Sequence, residues 1–395
     1  MAAPPGKRRK SLKDCFQGLE IESQAGPSSI TTPSSSKKRS RMNSDLRRTI
    51  SRGWPGRSMR KEDMFLTIRA DDIYRQYAKG QDPEKLFDKA MDWIGKIQVT
   101  DMDRPKQEVV TKEIHDAMIR AIFGSNQIER AGLGMLITVQ LCEKIFAGED
   151  VGEIPERSTE HHDELLNLYR KQQPDLKETS ARFILRGRSE IVQHAKAFQH
   201  LIHAFTVKKK DMSEDLIKET HRILVKGVPI IQQDLQEIPS EEYRGIYREC
   251  HVQAGETNFV TPRSVPQLMG QMCQDLREEA ALAETNGVDP FSLGAKYSMK
   301  FVQIHPFRDG NGRMCRMILN AILCRYAGII VPIGEQGDER EEYMGIKKRA
   351  SRDMEGHGEY ATFVLQRAVT RLRELKKKLA GKKAQNEISK THNPR

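Results

Sequence analysis

Between two apolar segments, the string "HPFRDGNGRMCR" gathers one His, one Asp, two Gly, one Asn and three Arg within His305–Arg316. Its "DGNG", Asp309–Gly312, sits where one helical segment gives way to the next. Unpaired backbone N–H groups and the positive end of a helix dipole converge at such a place, and together they bind anions. Glycine permits close backbone approach and positive φ, while Asn311 tolerates the left-handed region and offers an amide donor. Arg313 and Arg316, three residues apart, project from one side of the first turn. Two guanidinium groups beside an anion nest suit a polyphosphate better than a single phosphate. Asp309 would repel phosphate unless a divalent cation bridges them, which makes it a candidate Mg2+ ligand. His305, one turn of chain away, could take the proton from a hydroxyl attacking phosphorus. These residues point to nucleotide-dependent transfer to a hydroxyl. A glycine corner with surface arginines is the plainer alternative that "DGNG" by itself leaves open.

The elements that must position this loop read as helices. "PFSLGAKYSMKFVQIH" leads into it, and "GRMCRMILNAILCRYAG" leaves it with Met314, Met317, Ile318, Ala321 and Ile322 at helical spacing, as expected of a central core helix. "SEDLIKETHRILVKG" starts with Ser213 as a cap and stops at Gly227. Further helices are expected in "DDIYRQYAKG", "PEKLFDKAMDWIGKIQ", Lys112–Gly132, a segment ending at Gly148, Ser189–Phe205, "VPQLMGQMCQDLREEAAL", "DEREEYMGIKKRA" and "YATFVLQRAVTRLRELKKKLAG". One hairpin stands out, where "ECHVQ" and "NFVTP" flank "AGET" as two extended pieces flank a tight turn. His194, His200 and His203, spaced six and three apart without a set of carboxylate partners, read as polar-edge histidines rather than metal ligands.

Charge separates the ends from the middle. Of a net +11 over 395 residues, residues 1–60 carry 14 Lys/Arg against 4 Asp/Glu, and Arg371 onward carries 9 against 2, leaving the middle at −6. A basic nucleic-acid face on the folded part is therefore not supported. The Ser-, Pro- and Lys/Arg-rich stretch 1–60 reads as a disordered tail, whose "KRRK" and "KKRSR" fit nuclear-import signals or solvated linker equally well. Six cysteines without metal-ligand spacing, no sequon, no apolar run near about 18 residues and no leader imply an intracellular protein, cytoplasmic and/or nuclear, away from membranes.

The whole string resembles the H-P-F-x-[DE]-G-N-G-R-x-x-R signature of Fic-domain proteins, without a departure. The resemblance implies an all-α Fic fold, a helical bundle with a small β-hairpin flap beside the active-site loop. It divides the chain into the tail 1–60, an N-terminal helical region 61–210, a catalytic core 211–370 and a basic helix end and tail 371–395. It further implies transfer of AMP from ATP to a protein Ser, Thr or Tyr hydroxyl. His305 would be the general base, and Asp309 would hold Mg2+ between the α- and β-phosphates. Gly310, Asn311 and Gly312 would cradle those phosphates with Arg313, Arg316 would grip the γ-phosphate, and Phe307 would anchor the loop. The flap would align the backbone of a protein substrate by strand addition, with Ala254, Gly255, Glu256 and Thr257 bordering the nucleotide. Tyr343 falls where relatives place a tyrosine near the adenine, but Met344 stands where many have a second one.

Upstream, "SNQIER" resembles the family's inhibitory motif [ST]-x-x-x-E-[GN]. By that likeness Ser125 and Glu129 are the inhibitory residues, with Glu129 pairing to Arg316 and displacing the γ-phosphate. Arg130 departs from the pattern, where Gly or Asn is usual. In some relatives this glutamate also supports removal of AMP, so the resemblance extends to the reverse activity. The alternatives are transfer of another phosphate-containing group, favoured less because "GNG" is intact, and a non-catalytic nucleotide-binding scaffold. Metazoan relatives carry a membrane anchor and TPR repeats; neither is read here, and their location is not carried over. Homo-oligomerisation stays open.

Overall fold

A computed structural model describes residues 45, 74–152, 159–177, 179–231, 236–254, 257–286, 289–352 and 356–380. The tail expected at 1–60 lies outside the described residues apart from Asp45, as do 381–395 and the turn residues Gly255 and Glu256. Eleven helices are found among the described residues: α1 (Pro83–Gln98), α2 (Arg104–Ile128), α3 (Met135–Ala147), α4 (Thr159–Gln172), α5 (Ala181–Leu201), α6 (Glu214–Leu224), α7 (Val265–Asn286), α8 (Pro290–Ile304), α9 (Asn311–Tyr326), α10 (Gly337–Arg352) and α11 (Gly358–Ala380). A single π turn, Ile202–Val207, extends α5. Between α6 and α7 lies one antiparallel pair, β1 (Gln253–Ala254) and β2 (Thr257–Asn258), in register Gln253↔Asn258 and Ala254↔Thr257. The ladder is therefore two residue pairs long, shorter than the two extended pieces expected from the sequence.

Helix starts follow local chemistry. Asp82, Asp103 and Ser213 each accept a hydrogen bond from the backbone N–H three residues on, at 3.1, 3.0 and 3.2 Å, which satisfies an orphan donor of the first turn. Asp289 does this twice at the start of α8, from Phe291 and Ser292, with Pro290 at the first helical position. The Asp103–Pro105 signal starts α2 at Arg104, eight residues before the stretch its apolar spacing marks. "DDIYRQYAKG" departs from expectation: its described part, 74–80, is not helical. Tertiary bonds take precedence there, with the Tyr74 hydroxyl donating to Asp289 at 2.6 Å and Tyr77 to Glu342 at 2.9 Å.

α9 is the centre. Every residue of it except Gly312 is buried, and α8, α5, α2 and the π turn pack around it. A helix buried on all sides must find partners for its polar groups inside the core, as Asn320 does by donating to the Arg316 and Val331 carbonyls at 3.0 and 3.1 Å. Its first residues therefore emerge from the core at one fixed place, and the loop 305–310 is set against that place.

Candidate active site

The loop is braced from within. Phe307 is fully buried and stacks on His221, ring centroids 3.6 Å apart and nearly coplanar at 2°. Asn311 accepts from the Phe307 N–H at 3.0 Å and donates its side-chain amide to the Phe307 carbonyl at 2.7 Å. The amide donor expected to face a ligand is thus spent on the loop itself. Nor does Asn311 take the left-handed conformation: Gly310 does, at φ +79°, as the N-cap of α9. A Cβ on Gly310 would also press on His221, Leu224 and Val225 at 3.3 Å. His221 fixes the next carbonyl. Its Nδ1 accepts from the Gly245 N–H at 2.9 Å, so Nε2 carries the proton and donates to the Asp309 carbonyl at 3.0 Å. Burial pushes its pKa down to about 4 and keeps it neutral.

His305 ends α8 in the left-handed region, at φ +52°. Its N–H bonds to the Phe301 carbonyl at 3.0 Å and its Nδ1 to the Val302 carbonyl at 3.1 Å, while its own carbonyl accepts from Arg248 Nε at 2.7 Å. With Nδ1–H committed, Nε2 carries the lone pair. Burial lowers the pKa to about 4, so the imidazole is neutral across the physiological range and able to accept a proton.

Asp309 pairs with Arg313 at 3.0 Å, yet its carboxylate is still 37% exposed. Burial opposes ionisation, but Arg313, the Gly310 N–H and Arg186 together hold its pKa below the usual carboxylate range. One such carboxylate fits Mg2+, which takes one or two protein carboxylates and completes its shell from phosphate and water. No cluster of three ligating side chains is present among the described residues, so a cation here would depend on those outside ligands.

The expected inhibitory residues meet the expected arginine. Arg316 Nη2 donates to Glu129 at 2.5 Å, and its Nε donates to the Ser125 hydroxyl at 2.8 Å. The Glu129 carboxylate also occupies the space over Gly312 that a Cβ would need. Burial works against its charge, but Arg316 and Arg313 keep its pKa below the usual value. α2 ends in a Schellman turn that delivers it: Ala131 N–H bonds to the Asn126 carbonyl at 2.9 Å and Arg130 N–H to the Gln127 carbonyl at 3.2 Å. Arg130 occupies the left-handed C′ position at φ +53°, where the family pattern places Gly or Asn. His194 is no polar-edge residue: it is buried and bonds Asn126 at 2.9 Å, which secures this turn from α5.

Glu129, His305, Asp309–Arg313 and Arg316 line one cavity of about 950 Å³, large enough for a nucleotide. Its walls carry seven Arg/Lys, namely Arg130, Arg308, Arg313, Arg316, Arg340, Lys347 and Lys348, against the carboxylates of Glu129 and Asp309. Tyr343 is in the wall but fully buried, with the Arg316 and Lys347 cations 5.8 and 5.1 Å from its ring centre. Tyr343 therefore presents no exposed face to the cavity, whereas its neighbour Met344, also in the wall, is 44% exposed. Of the four turn residues expected at the nucleotide, Gly255 and Glu256 lie outside the described residues, as do the side chains of Ala254 and Thr257; Asn258 and Phe259 line the cavity instead. Arg248, His221 and Phe259 escape any sequence motif: His221 is a lone histidine on α6, and Arg248 and Phe259 lie outside helices and strands, where no periodicity marks them.

Residues 211–323 match the model of the Fic/DOC family. A Fido domain-containing protein of Dictyostelium discoideum is 36% identical over 96 residues, 24% of this chain and 65% of that one. The protein adenylyltransferase fic-1 of Caenorhabditis elegans is 28% identical over 162 residues, 40% of this chain and 28% of that one. The chain thus spans less than two thirds of the length of these relatives. Among solved structures, residues 134–508 of C. elegans Fic-1 superpose with TM-score 0.53 at 18% identity, covering 79% of this chain and 74% of that one. A Fic domain containing signaling protein from Bacteroides thetaiotaomicron gives 0.51 at 18%, covering 75% and 97%. The fold is shared with these structures. No helix among the described residues is long and apolar enough to cross a membrane.

Proposed function

We propose that this chain is a protein adenylyltransferase that moves AMP from ATP to a Ser, Thr or Tyr hydroxyl of a target protein, with Glu129 holding it in check. One observation carries the reading: a neutral imidazole, the N–H mouth of α9 and a carboxylate-capped arginine open into the same cavity. The amides of Gly310, Asn311 and Gly312 and the guanidinium of Arg313 receive the α- and β-phosphates, and Arg316 receives the γ-phosphate. Asp309 would hold Mg2+, which supplies neutralisation of the phosphate charge when bound.

His305 Nε2 takes the proton of the acceptor hydroxyl as its oxygen bonds to the α-phosphorus. The bond from that phosphorus to the bridging oxygen breaks, and pyrophosphate leaves. A pKa of about 4 makes a weak base in the free protein; the polyanion's charge beside the ring raises it in the complex. β1 and β2 offer an edge on which the target's backbone adds as a further strand. Glu129 occupies the γ-phosphate's place on Arg316, so a triphosphate either displaces it or binds displaced. The same carboxylate can orient a water at the modified target, which equips the site to remove AMP.

The test uses the Glu129→Gly protein with ATP labelled at the α- or the γ-phosphate, and the same protein carrying His305→Ala. Label from the α position only, exceeding wild type by about tenfold or more and absent without His305, is the expected result. Label from γ would instead make the chain a kinase-like transferase. No label from either position, on itself or on lysate proteins, would leave a nucleotide-binding scaffold.

A further inference from the structure

Hydrogen bonds hold the His305 backbone and one edge of its ring, but they do not hold its plane. An imidazole bonded only through Nδ1 to the Val302 carbonyl can still tilt about that bond and swing Nε2 away from an incoming hydroxyl. The contact that prevents the tilt comes from the chain just after β2: the Phe259 ring lies face to face on the imidazole, centroids 3.7 Å apart and 17° from parallel.

The two rings are not independent. Arg248, itself buried, donates Nε to the His305 carbonyl at 2.7 Å and Nη2 to the Val260 carbonyl, the residue after Phe259, at 2.6 Å. Its Nη1 holds the Cys250 carbonyl at 3.0 Å, and its backbone N–H holds the Pro306 carbonyl at 2.8 Å. One rigid guanidinium fork thereby fixes the spacing between the backbone that carries the imidazole and the backbone that carries the phenyl ring. The separation it sets is that of two stacked planes.

We propose that Phe259 is a positioning residue that sets the plane of the His305 imidazole and aims Nε2 into the cavity. This rests on His305 being the base of the transfer proposed above. Hydrophobic cover alone would be met as well by leucine, which buries similar area without a flat face. A tilted base misaligns proton transfer without touching the phosphates, so the loss falls on turnover and not on nucleotide binding.

The experiment takes the Glu129→Gly protein and adds Phe259→Leu or Phe259→Tyr. Expected are a kcat lower by about tenfold to a hundredfold for Phe259→Leu with KM for ATP unchanged, and near-parent kcat for Phe259→Tyr. In parallel, NMR of protein with labelled histidine reads the His305 ring protons, which the phenyl face shields. They move downfield in Phe259→Leu and stay in place in Phe259→Tyr. Unshifted ring protons in Phe259→Leu, full turnover in Phe259→Leu, or equal loss in both variants would each overturn the proposal. A shielded resonance in a protein that transfers no label would refute the adenylyl-transfer reading while leaving the stack itself established.

Discussion

Arg130 and His305 hold φ angles of +53° and +52°, and they are two of only three non-glycine residues at positive φ among the described residues. Both line the cavity. A side chain in that region costs about 1–2 kcal/mol, so the surroundings must over-determine it. At His305 they do, through Phe301, Val302 and Arg248. Arg130 has only the two backbone bonds of its turn and is exposed. Its strain therefore loads the turn that seats Glu129 on Arg316. Arg130→Gly should relieve about 1 kcal/mol, slow amide exchange across residues 126–131, and lower basal self-labelling about fivefold. Faster exchange with more labelling would show that the arginine tightens the turn. The loop and helix start at Asp309–Arg316 were legible in the sequence because they are local: a glycine at the helix mouth and two arginines three apart follow from residue type and from offsets of a few positions. The departure at Arg130 was legible too, but not its consequence, which depends on a φ angle that no spacing encodes. Asn311 shows the opposite limit. Its type suggested a donor toward a ligand, whereas a bond to its own loop four residues back had the first claim on the amide.

At the scale of elements, α2 matters for what holds its last turn. α5 supplies His194 to Asn126 and Glu190 to the Gly132 N–H at 2.7 Å. From the opposite side, Arg120 makes a bidentate pair with Glu335 at 2.6 and 2.8 Å, and Arg340 Nε reaches the Ile128 carbonyl at 3.3 Å. Gly124 lets the helix lie directly on the backbone of Ile333, Gly334 and Glu335; a Cβ there would come within 2.9 Å of Glu335 N and closer still to the Ile333 carbonyl. Backbone cannot rotate away. An isolated helix would gain about 1 kcal/mol from Gly124→Ala, but the clash outweighs that gain, with an expected net loss of about 1–3 kcal/mol. The displaced helix should lift Glu129 and raise self-labelling although no site residue has changed. In a Glu129→Gly background the same substitution should add nothing, and an additive increase would place its effect elsewhere. Periodicity disclosed most helices here, and caps such as Ser213 their starts. It could not disclose that a glycine within α2 serves a close approach to a segment some 200 residues away, because that requirement belongs to the packed pair and not to either sequence.

Across the whole molecule, the buried histidines set how it responds to acid. His221 and His357 are each pushed down to about 4 by burial, and His194 is lowered as well. A histidine whose folded pKa lies below its unfolded value of about 6.5 leaves the unfolded chain binding more protons as pH falls. Its contribution is intact above about 6.5 and is lost progressively toward 4. For His221 that loss is about 2 kcal/mol by pH 5. Glu129 and Asp309, with lowered pKa values, act in the same direction at lower pH. Asp289 opposes them: burial raises it to about 6, so protonation favours the folded form between 6 and its usual value and returns about 1 kcal/mol by pH 5. Asp116 and Glu143, also raised by burial, act with Asp289, but the imidazoles lowered by burial, His200 and His305 among them, outweigh these carboxyls. The denaturant midpoint should therefore fall between pH 7.5 and 5, the interval in which His305 itself remains neutral in the folded protein. His221→Asn retains an acceptor for the Gly245 N–H but cannot titrate; it should be less stable at pH 7.5 and show a shallower decline on acidification. A midpoint that held or rose on going to pH 5, with the slope unaltered in His221→Asn, would mean that these imidazoles are not kept neutral by burial and that the loop's anchor is wetter than its geometry indicates.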